Sequence, residues 1–384
     1  MQQYSSLKLN RRHWLLAGAA TLASCGGGGG SQSSSLPGTG GTGAGVQGTI
    51  SGFGSVIVNG TKFDDRTAAT YLNGSLSSST DLRIGMVATI NGSVDSATAT
   101  GTANRIDVWS IASGVLQRPP TSGSAAFQIH NMQFTTDVST TYEGITGLAT
   151  LASGMFVTVW GIQISADGTN WLATRVKYLG NSAVGPNVAT GIYRPGASTL
   201  NGMSLGITPL TEFSNGQLIR VETALVNGIL NNSSATAIGA ERQLSLTGKI
   251  EIEGAVTSVT DGNHFVLGTI PVDAGSASRS GNNQTIATGT LLKISGTMSG
   301  GILTAQEIQI QTTNNAMTVD ITGTVEAFNS SSDFTVRGQK CDASTATVQT
   351  GSLSNLRIGV KVHLTGLSSG DEVLLVQTIG VDVV

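Results

Sequence analysis

Gly85-Met86-Val87-Ala88-Thr89-Ile90-Asn91-Gly92 decides how this chain is read, because the same frame of two glycines around six residues returns at 154–161, 289–296 and 359–366. Set one above another, the copies alternate. The third position after the first glycine holds Ala88, Val157, Leu292 and Val362, and the fifth holds Ile90, Val159, Ile294 and Leu364. Between them stand Thr89, Thr158, Lys293 and His363. Apolar residues two apart with a polar one between line one face of a β-strand. The frame predicts a strand with one buried and one wet face, flanked by turns at its glycines.

Working outward, each copy opens on a Gly with two mostly β-forming residues: Gly48-Thr49-Ile50, Gly114-Val115-Leu116, Gly191-Ile192-Tyr193, Gly254-Ala255-Val256 and Gly323-Thr324-Val325. These starts lie 66, 77, 63 and 69 residues apart. A short strand then enters a turn, as in Val56-Ile57-Val58-Asn59-Gly60, where Asn-Gly is a hairpin signal because both residues tolerate positive φ. The copy closes on a small residue followed by two spaced apolar ones: Ala103, Ile106 and Val108; Ala173, Val176 and Tyr178; Ala305, Ile308 and Ile310; Val376, Ile379 and Val381. The third copy is degenerate. It keeps Gly216, Ile219 and Val221 but has Thr223 where the second frame glycine belongs.

About five or six short strands per repeat make a small closed barrel, and closure removes exposed sheet edges. The expected fold is all-β, tandem small OB-like β-barrels; a continuous solenoid or a propeller is the competing architecture. The 52 glycines against 7 prolines suit such a turn-rich chain. With 20 Lys and Arg against 23 Asp and Glu the chain lacks the basic footprint of a nucleic-acid binder, and no nucleic-acid partner is expected.

The N-terminus reads as an address. Lys8, Arg11 and Arg12 form a positive head and Trp14 to Leu22 a short apolar core, too short to span a bilayer. The following Leu22-Ala23-Ser24-Cys25-Gly26 resembles the lipobox of bacterial lipoproteins, which implies cleavage before Cys25 and lipidation of its thiol. Arg11-Arg12-His13-Trp14-Leu15 also resembles a twin-arginine signal, and an ordinary basic head fits the same residues. After Cys25 a Gly, Ser and Thr run to about Gly45 predicts a flexible tether. Lipid on Cys25 predicts a membrane partner and a cell-envelope location, with the outer membrane expected in a Gram-negative host because Gly26 is no inner-membrane retention Asp. No later apolar run approaches the ~18 residues of a membrane span, which predicts a soluble body.

The repeated residues resemble the tandem small β-barrel domain of unknown function found in bacterial predicted lipoproteins, over roughly 46–384 with the third copy weakest. Its motifs are turn and core residues. The resemblance implies a fold and an envelope location and supplies no catalytic residue. On this reading the chain divides into a signal peptide (1–24), a tether (25–45), barrel repeats 1 (46–111) and 2 (112–184), a degenerate repeat 3 (185–248), and barrel repeats 4 (249–315) and 5 (316–384).

Catalytic and metal chemistry needs convergent groups, most often including His. His130, His264 and His363 each fall in a different copy at a position its siblings fill with ordinary polar residues. Asp64, Asp273 and Asp342 recur at one turn position and read as turn caps. Cys341 reads as a small core residue, not a reactive thiol. No cofactor or metal is expected. Trp109, Trp160 and Trp171 are the candidate ligand-binding residues: Trp109 and Trp160 alternate away from their apolar neighbours and Trp171 precedes the closing strand of repeat 2. Two readings stand, a stacking platform for a glycan or other flat ligand and packing of repeat 2 against its neighbours. The expected function is a non-enzymatic, lipid-anchored envelope protein acting as a binding or structural spacer module, with a glycan or envelope protein as partner. The alternative is a secreted glycan-active enzyme with its acidic residues across a groove between repeats.

Overall fold

The computed structural model describes residues 43–182, 184–206, 210, 212–223, 225–226, 229–230, 234–239, 249–281, 285–312 and 315–382. The expected signal peptide, Cys25 and residues 25–42 of the expected tether lie outside the described residues. Residues 41–384 form one compact unit. The described part is all-β, with no α-helix among the described residues.

Repeat 1 contains β1 (Gly43–Phe53), β2 (Val56–Val58), β3 (Thr61–Asp64), β4 (Ala69–Leu72), β5 (Ser75–Ser77), β6 (Val87–Asp95) and β7 (Thr100–Val108). Strand β1 pairs antiparallel with β2 and β6, β2 with β3, and β6 with β7, while β3 closes the ring by running parallel to the first part of β7. Five strands thus form a closed OB-like barrel, and the competing solenoid and propeller are set aside. The β4–β5 hairpin lies outside the ring, β4 parallel to the second half of β7. Strand β1 begins at Gly43, inside the last residues assigned to the tether, because its backbone is already paired with β6 there.

Repeat 2 contains β8 (Ala112–Val115), β9 (Ala126–Ile129), β10 (Met132–Thr135), β11 (Thr141–Glu143), β12 (Met155–Gln163) and β13 (Asn170–Asn181). Its ring is the same except between β8 and β9, which meet through an Arg118–Gln128 bridge before Pro119 and Pro120, neither of which can donate to a ladder. Repeat 3, with β14 (Asn187–Ile192), β15 (Thr199–Leu200), β16 (Met203–Ser204), β17 (Leu218–Thr223), β18 (Leu225–Val226), β19 (Ile229–Leu230) and β20 (Ala235–Ala237), keeps the β14–β17 and β17–β20 pairs. There a Leu205–Leu230 bridge stands for the parallel ladder.

Repeat 4 contains β21 (Lys249–Val259), β22 (His264–Leu267), β23 (Ile270–Asp273), β24 (Ser278–Gly281), β25 (Leu291–Ser299) and β26 (Ile302–Ile310). Repeat 5 contains β27 (Thr318–Ser330), β28 (Asp333–Val336), β29 (Gln339–Asp342), β30 (Thr347–Thr350), β31 (Lys361–Leu367) and β32 (Val373–Val381). Both rings close as in repeat 1.

The two glycines of the frame do different work. The first (Gly85, Gly154, Gly289, Gly359, and Gly216 in the degenerate copy) has φ between 82° and 87°, the left-handed turn expected before the strand. The second is no turn. The strand runs on through Gly92, Gly161, Gly296 and Gly366, and the ladder shifts register at each. Each glycine faces a β-bulge whose extra residue (Asn104, Thr174, Gln306 or Gln377) is on the closing strand, and a Cβ there would sit 2.0–2.4 Å from a carbonyl oxygen of that strand, so the position admits only glycine. The paired columns between the glycines are the core: Ala88, Ile90, Val157, Val159, Leu292, Ile294, Val362 and Leu364 are all buried.

Repeats 1 and 5 share one apolar cluster, repeats 2 and 3 a second, and repeat 4 holds a third. Strand β1 joins them further. Its residues 44–47 pair in parallel with Lys249–Ile252 of β21, and Gly52 and Phe53 pair with Asp320 and Ile321 of β27.

Candidate functional site

The wet columns of the first three repeats are where the chain's unusual side chains gather, and much of that surface is covered by a neighbouring repeat. Thr89, Trp160 and Arg220 all point away from their own barrels, yet they are buried. Trp160 packs into the cluster of repeats 1 and 5. Trp171 is 2 % exposed and its Nε1–H donates to the Gly168 carbonyl at 2.9 Å. Trp109 is half-buried, lies over the Gly74 turn and faces the Arg220 guanidinium at 5.7 Å. The structure therefore corrects the stacking platform: two of the three indoles have no open face, because Trp160 points out of its barrel into the next, and Trp171 lies within β13 on the core side with Phe134 and Ala173.

Trp109 and Trp171 still come together. They line a cavity of about 90 Å³ where repeats 1, 2, 3 and 4 meet, beside Gln47, Gln163, Glu253 and Leu267. Glu253 accepts from the Thr49 amide at 2.7 Å, Gln163 donates to Ser165 O at 2.8 Å, and Gln47 donates to Thr89 Oγ1 at 3.3 Å. The Trp109 Nε1–H is buried with no partner. At ~30 Å³ per water the enclosed part of the cavity has room for about three waters.

Buried arginines tie the same junction. Arg175, on β13, is 2 % exposed and donates to Ile84 O of repeat 1 at 2.9 Å, while its guanidinium pairs with Glu143. Burial lowers the Arg175 pKa, opposed by Glu143. Burial raises the Glu143 carboxyl, but Arg175 and Lys177 together hold it below its usual value. Arg220, on β17, donates to Ser110 O at 3.0 Å and pairs with Glu222 at 2.7 Å.

The histidines have structural partners. Asn59, His130 and Asn201 sit at the same left-handed hairpin position (φ 55°, 50° and 51°) and reach back to the carbonyls of Gln47, Ser113 and Thr190 at 3.0, 2.8 and 2.7 Å. His130 is thus a buried brace whose Nε2 carries the proton, and burial lowers its pKa. His264 Nδ1 lies 2.9 Å from Asp261, which raises its pKa, and His363 Nε2 lies 2.9 Å from Asp320. Asp64, Asp273 and Asp342 each accept from the backbone amide two residues on, at 3.2, 3.0 and 2.8 Å. Cys341 is buried, and burial pushes its thiol up to about 12. Among the described residues no group of His, Cys, Asp and Glu is placed to hold a metal ion.

A second opening went unread in the sequence. Repeats 1 and 4 enclose a cleft of about 250 Å³ containing Lys249, Glu251, Lys293, Ser295 and Glu307. Its signal was the alternation Lys249-Ile250-Glu251-Ile252-Glu253, three charges on one face in a chain only 11 % charged.

No curated protein matches the chain. Three segments, residues 114–177, 253–309 and 322–379, match the family described as Domain of unknown function (DUF5666) and coincide with repeats 2, 4 and 5. Repeat 1, which adds the β4–β5 hairpin, and repeat 3, with its two-residue hairpin strands, stand outside these segments. The chain carries the DUF5666 domain, a domain of unknown function, three times in tandem.

Proposed function

We propose that the protein is a non-enzymatic, lipid-anchored cell-envelope protein whose packed barrels form a binding or structural head. Cys25 would carry the lipid, in the outer membrane of a Gram-negative host. The observation that carries this reading is the seam along β1, which hydrogen-bonds repeat 1 to repeats 4 and 5. It supports a head with fixed surfaces, suited to meeting a glycan or an envelope protein, in preference to a string of independent spacers. The bracing of His130, the placing of His264 between Asp261 and Asp273, and the pairing of His363 with Asp320 support a structural use of these groups.

Metabolic labelling with a fatty-acid analogue tests the anchor: wild type takes up label and Cys25→Ala does not, whereas equal labelling overturns it. A cell-wall glycan screen tests the head. Binding lost in Trp109→Ala with unchanged thermal unfolding places the ligand at the junction, and no binding leaves the structural role.

The alternative, a glycan-active enzyme, draws on Glu251 and Glu307 in the cleft between repeats 1 and 4. Both stand on the wall made by repeat 4, on strands flanking Ser295, instead of facing each other across the groove. Glycan cleavage by wild type that is lost in Glu307→Gln would establish it.

A further inference from the structure

We propose that the cleft between repeats 1 and 4 binds a small zwitterion of amino-acid or dipeptide size, its carboxylate on Lys249 and its ammonium on Glu307. The proposal extends the binding-head reading to a second place and does not depend on the anchor or on the junction cavity.

The cleft lies over the seam where β1 and β21 pair. Ala44 and Val46 give it an apolar floor, repeat 1 supplies a neutral wall from the Asn59 turn and the β6–β7 hairpin, and repeat 4 supplies the charged wall. At about 250 Å³ it has room for about eight waters at ~30 Å³ each, enough for a dipeptide.

Its four charges divide into two sets. Lys293 and Glu251 serve the protein: Lys293 Nζ donates to Asn59 O at 2.5 Å and lies 3.2 Å from Glu251 Oε1, pinning repeat 4 to repeat 1. Glu251 Oε1 is buried and, with that ammonium turned to the carbonyl, receives no well-formed hydrogen bond, so the cleft has unspent acceptor capacity at its base. Lys249 and Glu307 are used differently. Among the described residues Lys249 Nζ bonds only the Ser96 hydroxyl, at 3.1 Å, and Glu307 accepts only from the Ser295 hydroxyl, at 3.3 Å. Among the described residues neither is in an ion pair.

The register sets their spacing. Glu251 pairs with Ser295 and Ser295 with Glu307, so Glu307 is two strands from β21, and Lys249 is two residues along from Glu251. With strands ~4.8 Å apart and ~3.4 Å per residue, the Lys249 and Glu307 backbones stand about 12 Å apart. Across that span the two side chains are held by Ser96 and Ser295 and do not pair with each other, so a ligand carrying both charges can lie between them. A ligand carrying only one charge would satisfy one of them and leave the other exposed to water.

Calorimetric titration of the full chain with glycylglycine, its N-acetyl form and its C-terminal amide tests the match. The free dipeptide should bind at least ~tenfold more tightly than either blocked form, as expected when one charge-assisted hydrogen bond is lost. Lys249→Met should abolish the preference for a free carboxylate and Glu307→Gln the preference for a free ammonium. Both keep side-chain bulk at the surface, and their unfolding temperatures should equal wild type. Trp109→Ala should bind glycylglycine as wild type does, so failure at the junction and failure here are distinguishable. Equal affinity for the three ligands, no binding at millimolar concentration, or preferences that survive in the variants would overturn the proposal.

Discussion

Repeats 2 and 4 are built on one plan and use their outer faces in opposite ways. Trp160 pairs with Arg175 across β12 and β13; in the same columns Ser295 pairs with Glu307 across β25 and β26. Trp160 and Arg175 are buried against repeat 1, whereas Glu307 stands exposed at the rim of an open cleft. Inside the barrels nothing comparable separates them, since Val157, Val159, Leu292 and Ile294 are equally buried. The period-two pattern sorts a side chain into or out of its own barrel. Whether outside means water depends on which repeat lies next to it.

The sharpest way to break this comparison is at the shared column. Arg175→Ala empties the junction, removes the donor to Ile84 O and leaves Glu143 to Lys177 alone, and should cost about 2–3 kcal/mol, the upper range for losing a charged hydrogen-bond donor to a buried acceptor. Glu307→Ala should leave the unfolding temperature unchanged. Equal effects would mean that the two faces do not differ in kind. Next come the bulges, where the repeats should agree: Gly161→Ala and Gly296→Ala each force a Cβ against a carbonyl and should each lose about 2 kcal/mol or more by denaturant unfolding. A split between them would place the difference inside the barrels.

The His130 brace is expected to be smaller in effect. His130→Ala leaves the buried Ser113 carbonyl without its donor, at about 1–3 kcal/mol, and His130→Asn should recover most of that, as Asn59 and Asn201 make the same contact in repeats 1 and 3. The pH dependence follows from the lowered His130 pKa. A base whose folded pKa is depressed gives stability that is present above its unfolded value, near 6.5, and lost as pH falls through the folded one. Wild type should therefore weaken below about pH 6.5 and the Asn variant should weaken less. The smallest effect concerns Cys341: with its thiol raised to about 12, a Cys25→Ala chain should resist thiol reagents at pH 8 while folded and react fully in denaturant.

Much of the fold was legible because every copy repeats its core columns and its left-handed first glycine. The second glycine was legible as a position and misread as a turn. A bulge and a turn both call for glycine, and only the strand's continuation to Asp95, Gln163, Ser299 and Leu367 tells them apart. The candidate site was barely legible. Trp160 carries no mark of being covered, since the residues that cover it belong to repeats 1 and 5 and alternation within its own strand is silent about them.

Strand β1 carries a consequence for how the chain is made. It is the first described strand to leave the ribosome, yet two of its partners lie far downstream: Thr49 bonds Glu253 across 204 residues, and Gly52 and Phe53 pair with Asp320 and Ile321 of β27. Closing loops of that length is slow relative to forming the local hairpins. Repeats 2 and 3 can share their core as soon as both are synthesised, while one edge of repeat 1 waits for repeats 4 and 5. During that interval the outer edge of β1 is an open template for another chain, and aggregation at low folding temperatures or on truncation before residue 249 should begin there.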